Sequence, residues 1–293
     1  MKNNIIQTQL SKILNKYINS VRKELKLRWD SWTIDMIEIE KHEVVGALLA
    51  RQVTLVTQLA SSPSIWNGHI APLLLRAMVD NYINLAWILK QDTLERAKKF
   101  IEHGLGQQKL VIEHRKQELK RKGIKDIDNE PLVKMSEEWI NSQRYTFLTT
   151  VNVGNWAGIA MRKMAKEAGC LDFYRFAYTP FSGNVHSMWN HVSRYNLRTC
   201  RNPLHRLHKI PIDPDMSTDI DYLYRAVKYA DKAFKLFDKK TRVKVKIESS
   251  FENFKSDLDK LGNRINKKKK NLKSLKSILR CWCRVVATPA TED

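Results

Sequence analysis

The chain has 293 residues, and 43% of them are hydrophobic, which is enough for one large core or two smaller ones. Low counts of Gly (10) and Pro (8) favour long helices and argue against a strand-rich fold. The formal net charge of +21 indicates an anionic partner, either nucleic acid or an acidic membrane surface, although a basic surface without a specific ligand has the same composition.

Helical periodicity dominates the first half of the chain. The first predicted helix is basic and amphipathic, and the third is apolar around most of its circumference. The fourth has a plausible C-cap at Gly123, and Gly104 and Gly106 weaken its middle and allow a kink there. These four helices are predicted at 1–28, 38–60, 69–90 and 93–123.

The second half is predicted to be helical with one long interruption. Three prolines between 191 and 218 predict an extended loop there. Residues 241–250 alternate like a short strand, but no partner strand is evident. The helices of this half are predicted at 131–144, 155–168, on both sides of Thr179-Pro180 within 171–190, at 218–240, and beyond 250.

These elements predict an all-α protein: a multi-helix bundle with a basic C-terminal helical extension. The predicted divisions are a basic N-terminal helix (1–37), a helical core domain (38–240) and the basic extension (241–293). Residues 239–293 hold 16 Lys and Arg against 6 Asp and Glu, so this last fifth carries about half of the excess positive charge.

A polar stripe crosses the most apolar helix, because Arg76, Asp80 and Asn84 follow at i, i+4 and i+8. A second stripe at the same spacing consists of Ser182, His186 and Asn190. If the two stripes pack together, a guanidinium, a carboxylate, a hydroxyl and an imidazole converge, which suits acid–base chemistry or phosphate binding. The alternative is a buried network that only fixes helix register. The candidate catalytic residues are therefore His186, Arg76, Asp80 and Ser182.

The same residues resemble a bacterial helical family known only as domain of unknown function 5677. That family has Arg, an acidic residue four positions later and then an aromatic, which Arg76, Asp80 and Trp87 match. Its later motif of an aromatic, Ser, a hydrophobic residue and His is matched by YTPFSGNVH at 178–186. The chain departs mildly, with Asp80 where Glu is common and Phe before Ser182 where Leu is common. The resemblance implies a helical fold over about 40–240 and a link to phage defence, but no reaction.

A second catalytic hypothesis rests on RNPLHRLH, residues 201–208. Arg201 and His208 resemble the Arg-to-His spacing of the HEPN ribonucleases, whose two protomers together cleave RNA with its own 2′-hydroxyl. An imidazole that moves a proton and a guanidinium that stabilises phosphorane charge suit this reaction. Pro203 argues against the helix that carries such motifs in that class. This resemblance implies a metal-independent endoribonuclease that acts as a homodimer.

The basic C-terminal helix is the predicted nucleic-acid-binding element. Its lysines flank a narrow apolar stripe, a pattern that suits phosphates or an anionic membrane surface. Alternatively, the stripe docks on the core and the lysines are merely solvated. The predicted contacts are Arg264, Lys267, Lys268, Lys269, Lys270, Lys273 and Lys276.

The four cysteines lack the spacing of a disulfide framework, and the Cys281-Trp282-Cys283 sequence lacks metal-site spacing. The start of the chain has no signal-peptide apolar region, and the apolar helix at 70–89 contains charges that exclude a simple membrane span. We therefore expect a cytoplasmic protein with no cofactor and no metal. The leading hypothesis is an RNA-binding protein, in a defence or toxin module, that cleaves RNA if it is an enzyme. The alternative is a non-enzymatic interaction protein whose basic tail docks a partner or membrane.

Overall fold

The computed structural model describes residues 2–143 and 154–269, and its long helices lie where the apolar periodicity predicts them. The predicted helix at 155–168 is shorter, because only Met161–Glu167 is helical there. Helix α4 runs without interruption past Gly104 and Gly106. Its N–H to C=O ladder continues there because a glycine weakens a helix without removing a hydrogen bond. The first five helices are α1 (Lys2–Ser31), α2 (Ile39–Ser61), α3 (Ala71–Ile88), α4 (Thr93–Arg121) and α5 (Pro131–Ser142).

The second half of the chain contains shorter elements before two long helices. A π-helical turn, Tyr174–Tyr178, joins α7 to α8. The remaining elements are α6 (Met161–Glu167), α7 (Leu171–Phe173), α8 (Thr179–Val185), α9 (Trp189–Tyr195), β1 (Leu197–Thr199), β2 (Lys209–Pro211), α10 (Ile220–Thr241) and α11 (Ser250–Lys269). The prediction of an all-α fold is confirmed, with one small two-stranded sheet in the described residues.

The predicted long loop at 191–218 is wrong in part. Strands β1 and β2 pair antiparallel within it, with Leu197 opposite Pro211 and Thr199 opposite Lys209. Pro211 fits because it lies at the end of a strand in a two-stranded ribbon, where a missing N–H costs little. The segment at 242–249 has no regular secondary structure, and no ladder partner in the part of the chain that the structure describes.

Two compact units divide the chain, and α2 and α3 each contribute to both. The first unit comprises 1–32, 50–79 and 179–293, and within it α1 packs against α11. Tyr17 and Phe254 bring their ring centroids to 5.1 Å. Arg28 stacks over the Phe234 ring and donates a hydrogen bond to the carboxylate of Asp238 on α10. A charged group is therefore part of this core.

The second unit comprises 33–49 and 80–178, and α4 and α5 form a helical hairpin in it. A small apolar cluster holds the hairpin together: Ile112, Leu119, Val133 and Ile140, with Ile127 against them. Near the start of α4, Arg96 lies 3.6 Å over the ring of Trp87. The indole N–H of Trp87 donates to Glu167 at 2.7 Å, which fixes α6 in this unit.

Within the described residues, one segment, Met36–Ser61, is long and apolar enough to cross a membrane by length and composition. About three fifths of its most apolar window (61%) is buried inside the fold. Core helices of globular proteins pass the same test, so the segment is weak support for a membrane span.

Candidate functional site

The N-terminal end of α3 is shaped by a turn at Asn67-Gly68. The side-chain oxygen of Asn67 accepts hydrogen bonds from the backbone N–H groups of His69 and Ile70, at 3.0 and 3.1 Å. Such an Asx cap satisfies N–H groups that have no partner within the helix. Gly68 packs so closely that an added Cβ would lie 3.1 Å from the ring of Tyr195. Asn67 and Gly68 therefore fix the position of His69 just before α3.

Arg76 and Ser182, two of the four predicted catalytic residues, are in contact. Arg76 is buried, with 7% of its surface exposed, and its Nε donates to Ser182 Oγ at 3.3 Å. A buried guanidinium needs acceptors, since removing it from water without them is costly. The apolar helix α3 is thus joined to α8 by a hydrogen bond between one residue of each predicted polar stripe.

His186 and Asp80 are the other two predicted catalytic residues. His186 follows the last turn of α8, where its backbone N–H donates to the carbonyl of Ser182, and its side chain is exposed. Asp80 is half-buried one turn beyond Arg76 on α3, at the start of the second unit. Asn84, the third residue of that stripe, accepts a hydrogen bond from Trp156 at 3.2 Å in the second unit.

The second predicted stripe does not lie on one helix. Ser187 has a φ of +48°, and the N–H of Met188 donates to the carbonyl of Gly183 at 2.8 Å. This is the hydrogen-bonding pattern with which helices end at a left-handed residue. Asn190 therefore lies on α9, and the expectation of one helix carrying Ser182, His186 and Asn190 is wrong.

A histidine pair that the sequence did not reveal lies in the same unit. The rings of His69 and His191 meet edge-to-face with centroids 5.4 Å apart. Tyr195 contacts both, at 5.5 Å from His69 and 4.8 Å from His191. We call these three residues together with Asn184 the histidine cluster. All four side chains are half-buried, so solvent reaches them.

Asn184 holds the cluster together from α8. Its amide nitrogen donates to the backbone carbonyls of Gly68 and His69, at 3.0 and 3.1 Å, and lies 3.1 Å from His191 Nε2. Its side-chain oxygen is buried without a hydrogen-bond partner among the described residues. Such an acceptor is uncommon, since most buried polar atoms in proteins are hydrogen-bonded.

The electrostatics of the cluster favour an uncharged imidazole at His191. Burial lowers the pKa of His191, and the neighbouring His69 lowers it further. Both causes act against the imidazolium form, because desolvation and a like charge each penalise it. At neutral pH, His191 can therefore accept a proton. No local spacing signals this pair, since His69 and His191 come from distant segments that only the fold brings together.

The second catalytic hypothesis falls on a hairpin loop. Arg201 and His208 are both exposed and lie between β1 and β2, so the segment that carries them is not helical. The segment turns at Pro203, as the argument against a helix predicts.

A basic groove of about 270 Å³ lies between α1 and α11. Four cations line it, Lys12, Lys16, Lys260 and Arg264, against the single carboxylate of Asp257. Lys16 pairs with Asp257 at 2.7 Å, which leaves an excess of positive charge. Among the predicted nucleic-acid contacts, Arg264 is the one whose side-chain surroundings the structure describes. Lys267, Lys268 and Lys269 continue α11, and Lys270, Lys273 and Lys276 lie outside the described residues.

Comparison with known proteins yields one family. The family model described as "Family of unknown function (DUF5677)" matches residues 42–202, more than half of the chain. This range contains Arg76, Ser182 and the whole histidine cluster. No curated protein and no solved structure matches the chain. The chain therefore belongs to the DUF5677 family of unknown function, as its Arg76–Asp80 and Ser182–His186 motifs indicated.

Proposed function

We propose that this protein binds RNA and cleaves it without a metal ion, with His69 and His191 as the proton-transfer pair. The observation that supports this most directly is the edge-to-face contact of the two imidazoles at 5.4 Å. Paired imidazoles suit phosphodiester transfer because one can take a proton while the other gives one. The histidine cluster replaces His186 and His208 as the leading catalytic assignment.

In the proposed reaction, His191 accepts the proton of the RNA 2′-hydroxyl while that oxygen attacks the adjacent phosphorus. Protonated His69 donates its proton to the departing 5′ oxygen as the P–O5′ bond breaks. The products are a 2′,3′-cyclic phosphate and a free 5′-hydroxyl, so protons and bonds balance. The lowered pKa of His191 supports its assignment as the base.

Two further features support an RNA substrate. The net charge of +21 and the basic groove between α1 and α11 favour a polyanion. The proposed chemistry requires a 2′-hydroxyl, which selects RNA over DNA.

The test is incubation of the full-length protein with labelled RNA, and with DNA of the same sequence, in excess EDTA. We expect cleavage of RNA only, and losses of about 10²- to 10⁴-fold in rate for His69→Gln and His191→Gln. His114→Gln is the matched control, because His114 is exposed on α4 in the other unit. Folding of each variant is checked by circular dichroism.

The same assay separates the alternative assignments. Cleavage that survives His69→Gln and His191→Gln but is lost in folded His186→Ala would return the site to Arg76, Asp80, Ser182 and His186. Loss only in His208→Ala would assign it to the Arg201–His208 pair. A wild-type protein that binds RNA but leaves it intact would overturn the catalytic proposal.

A non-enzymatic interaction protein is the second candidate, and one observation favours it. Helix α5 exposes Leu132, Met135 and Trp139, which lie at i, i+3 and i+7 and are each at least half exposed. Contiguous apolar residues on one exposed helix face are typical of partner-binding surfaces. Under this proposal Trp139→Ala would abolish partner capture while RNA binding is unchanged.

A further inference from the structure

The loop of the β1–β2 hairpin brings together one thiol and two imidazoles. Each of Cys200, His205 and His208 offers one ligand atom, and the three atoms lie within 4.8 Å of one another. Cys200 Sγ is 3.7 Å from His205 Nδ1, and the two imidazole centroids are 5.4 Å apart. Tetrahedral zinc with ordinary Zn–S and Zn–N bond lengths would place sulfur and nitrogen about 3.6 Å apart. The observed separation therefore matches two ligands of one ion.

The backbone of the hairpin fixes this arrangement. The N–H of Cys200 donates to the carbonyl of His208 at 2.8 Å, so the first and third ligands face each other where the ladder ends. The N–H of His208 donates in turn to the carbonyl of His205 at 3.1 Å. Leu207 between them has a φ of +63°, a conformation that L residues with side chains rarely adopt. Unfavourable backbone held in a short loop is typical of functional sites.

We propose that Cys200, His205 and His208 bind a divalent transition metal, with Zn²⁺ as the preferred ion and a fourth position open to water or to another molecule. A thiolate and two imidazoles are ligands that Zn²⁺ and Co²⁺ prefer, whereas Mg²⁺ and Ca²⁺ need oxygen ligands. The loop offers cations, Arg201, Arg206 and Lys209, and no carboxylate. The site therefore selects against Mg²⁺ and Ca²⁺.

The ligands are accessible to an incoming ion. His205 and His208 are exposed, and Cys200 is a half-buried free thiol. The expectation of no metal rested on Cys281 and Cys283, which lie outside the described residues, whereas the proposed ligands follow a Cys-x4-His-x2-His spacing in the hairpin. This site is independent of the proposed RNA cleavage, which is tested in EDTA.

The test is titration of the full-length protein with Co²⁺, in a Cys281→Ser/Cys283→Ser background that removes competing tail thiols. We expect one equivalent to produce a thiolate-to-cobalt charge-transfer band, and Zn²⁺ to abolish it by competition. Cys200→Ala removes that band. His205→Ala and His208→Ala each weaken Co²⁺ binding more than 10-fold, since even groups that only orient a ligand contribute about 10–100-fold.

Cys170→Ala is the matched control, because Cys170 is the other half-buried cysteine of the described residues. It should bind Co²⁺ as the parent does. The three ligand variants alter a largely exposed loop, so their circular dichroism should match the parent's. The proposal is overturned if the parent shows no charge-transfer band, if the band survives Cys200→Ala, or if both histidine variants bind Co²⁺ with unchanged affinity.

Discussion

Arg76 Nε donates to the hydroxyl of Ser182 at 3.3 Å, so a buried guanidinium on α3 is held by a side chain of α8. This contact links the two motifs through which the chain resembles its family. It also lies close in sequence to Asn184, which organises the histidine cluster. A structural contact and a candidate site are thus built from the same short helix.

Replacing Ser182 with alanine removes one acceptor from the buried guanidinium. We expect Ser182→Ala to lower the free energy of unfolding by about 1–3 kcal/mol, the usual cost of removing a hydrogen-bond partner from a buried polar group. Urea denaturation followed by circular dichroism measures this change. Ser64→Ala, at an exposed serine, is the control and should change stability by less than about 0.5 kcal/mol. Equal effects of the two substitutions would contradict the contact.

The lowered pKa of His191 predicts a pH dependence of stability. In the unfolded chain the pKa is about 6.5, so the unfolded state binds more protons than the folded state below that pH. The stability that the neutral ring contributes is fully present above pH 6.5 and is lost as pH falls through the folded-state pKa. His42, whose pKa burial also lowers, contributes with the same sign.

We therefore expect His191→Gln to reduce the loss of stability between pH 7 and pH 5 without removing it, because His42 remains. Urea denaturation across this range measures the slope, and NMR titration of the His191 ring measures its pKa directly. A measured pKa at or above about 6.5, the value of an unperturbed histidine, would contradict burial as the dominant influence on this ring.

Two glycines should respond to alanine with opposite signs. At Gly68 an added Cβ would lie 3.1 Å from Met216 and from the Tyr195 ring, so Gly68→Ala should destabilise by about 1–3 kcal/mol through overpacking. At Gly104, an exposed position within α4, nothing lies within 4 Å, and Gly104→Ala should stabilise by about 0.5–1 kcal/mol. Thermal unfolding of the pair tests both; a stabilising Gly68→Ala would disprove the close approach at the histidine cluster.

Arg28 forms a buried ionic network in the first unit. It donates to Glu24 at 2.7 Å and binds both carboxylate oxygens of Asp238, at 2.8 and 2.9 Å. We expect Arg28→Ala to cost about 3–5 kcal/mol, because removing one partner leaves buried charge uncompensated. The control is Lys26→Ala, which removes an exposed pair with Asp30 and should cost at most about 1 kcal/mol. Denaturant midpoints compare the two.

The basic groove predicts a salt dependence of RNA binding. If Lys12 and Arg264 each contact a phosphate, Lys12→Gln and Arg264→Gln should each reduce the slope of log affinity against log salt by about 0.7 for a single strand. Filter binding at several salt concentrations measures that slope. Lys99→Gln, an exposed lysine of α4, should leave the slope unchanged. An unchanged slope in all three variants would place RNA elsewhere on the surface.

Local patterns in the sequence were sufficient to place most helices. The apolar repeat of α3 and the polar face of Arg76, Asp80 and Asn84 are visible in the sequence because helical spacing depends on neighbours three and four residues apart. The Asn67-Gly68 turn follows from local chemistry too, and the cost of a buried charge indicates that Arg76 has polar partners. That Ser182 is one of them is decided by the fold.

The tertiary structure decided which distant segments come into contact. Ser187, with its left-handed backbone, ends α8, and α9 then starts in a new direction that brings His191 to His69. No spacing in the sequence encodes this contact. The short strands around 200–208 gather Cys200, His205 and His208 because the ladder, rather than residue propensity, closes the loop. Helical periodicity is a property of near neighbours, whereas both candidate sites depend on contacts whose geometry is set only when the chain packs.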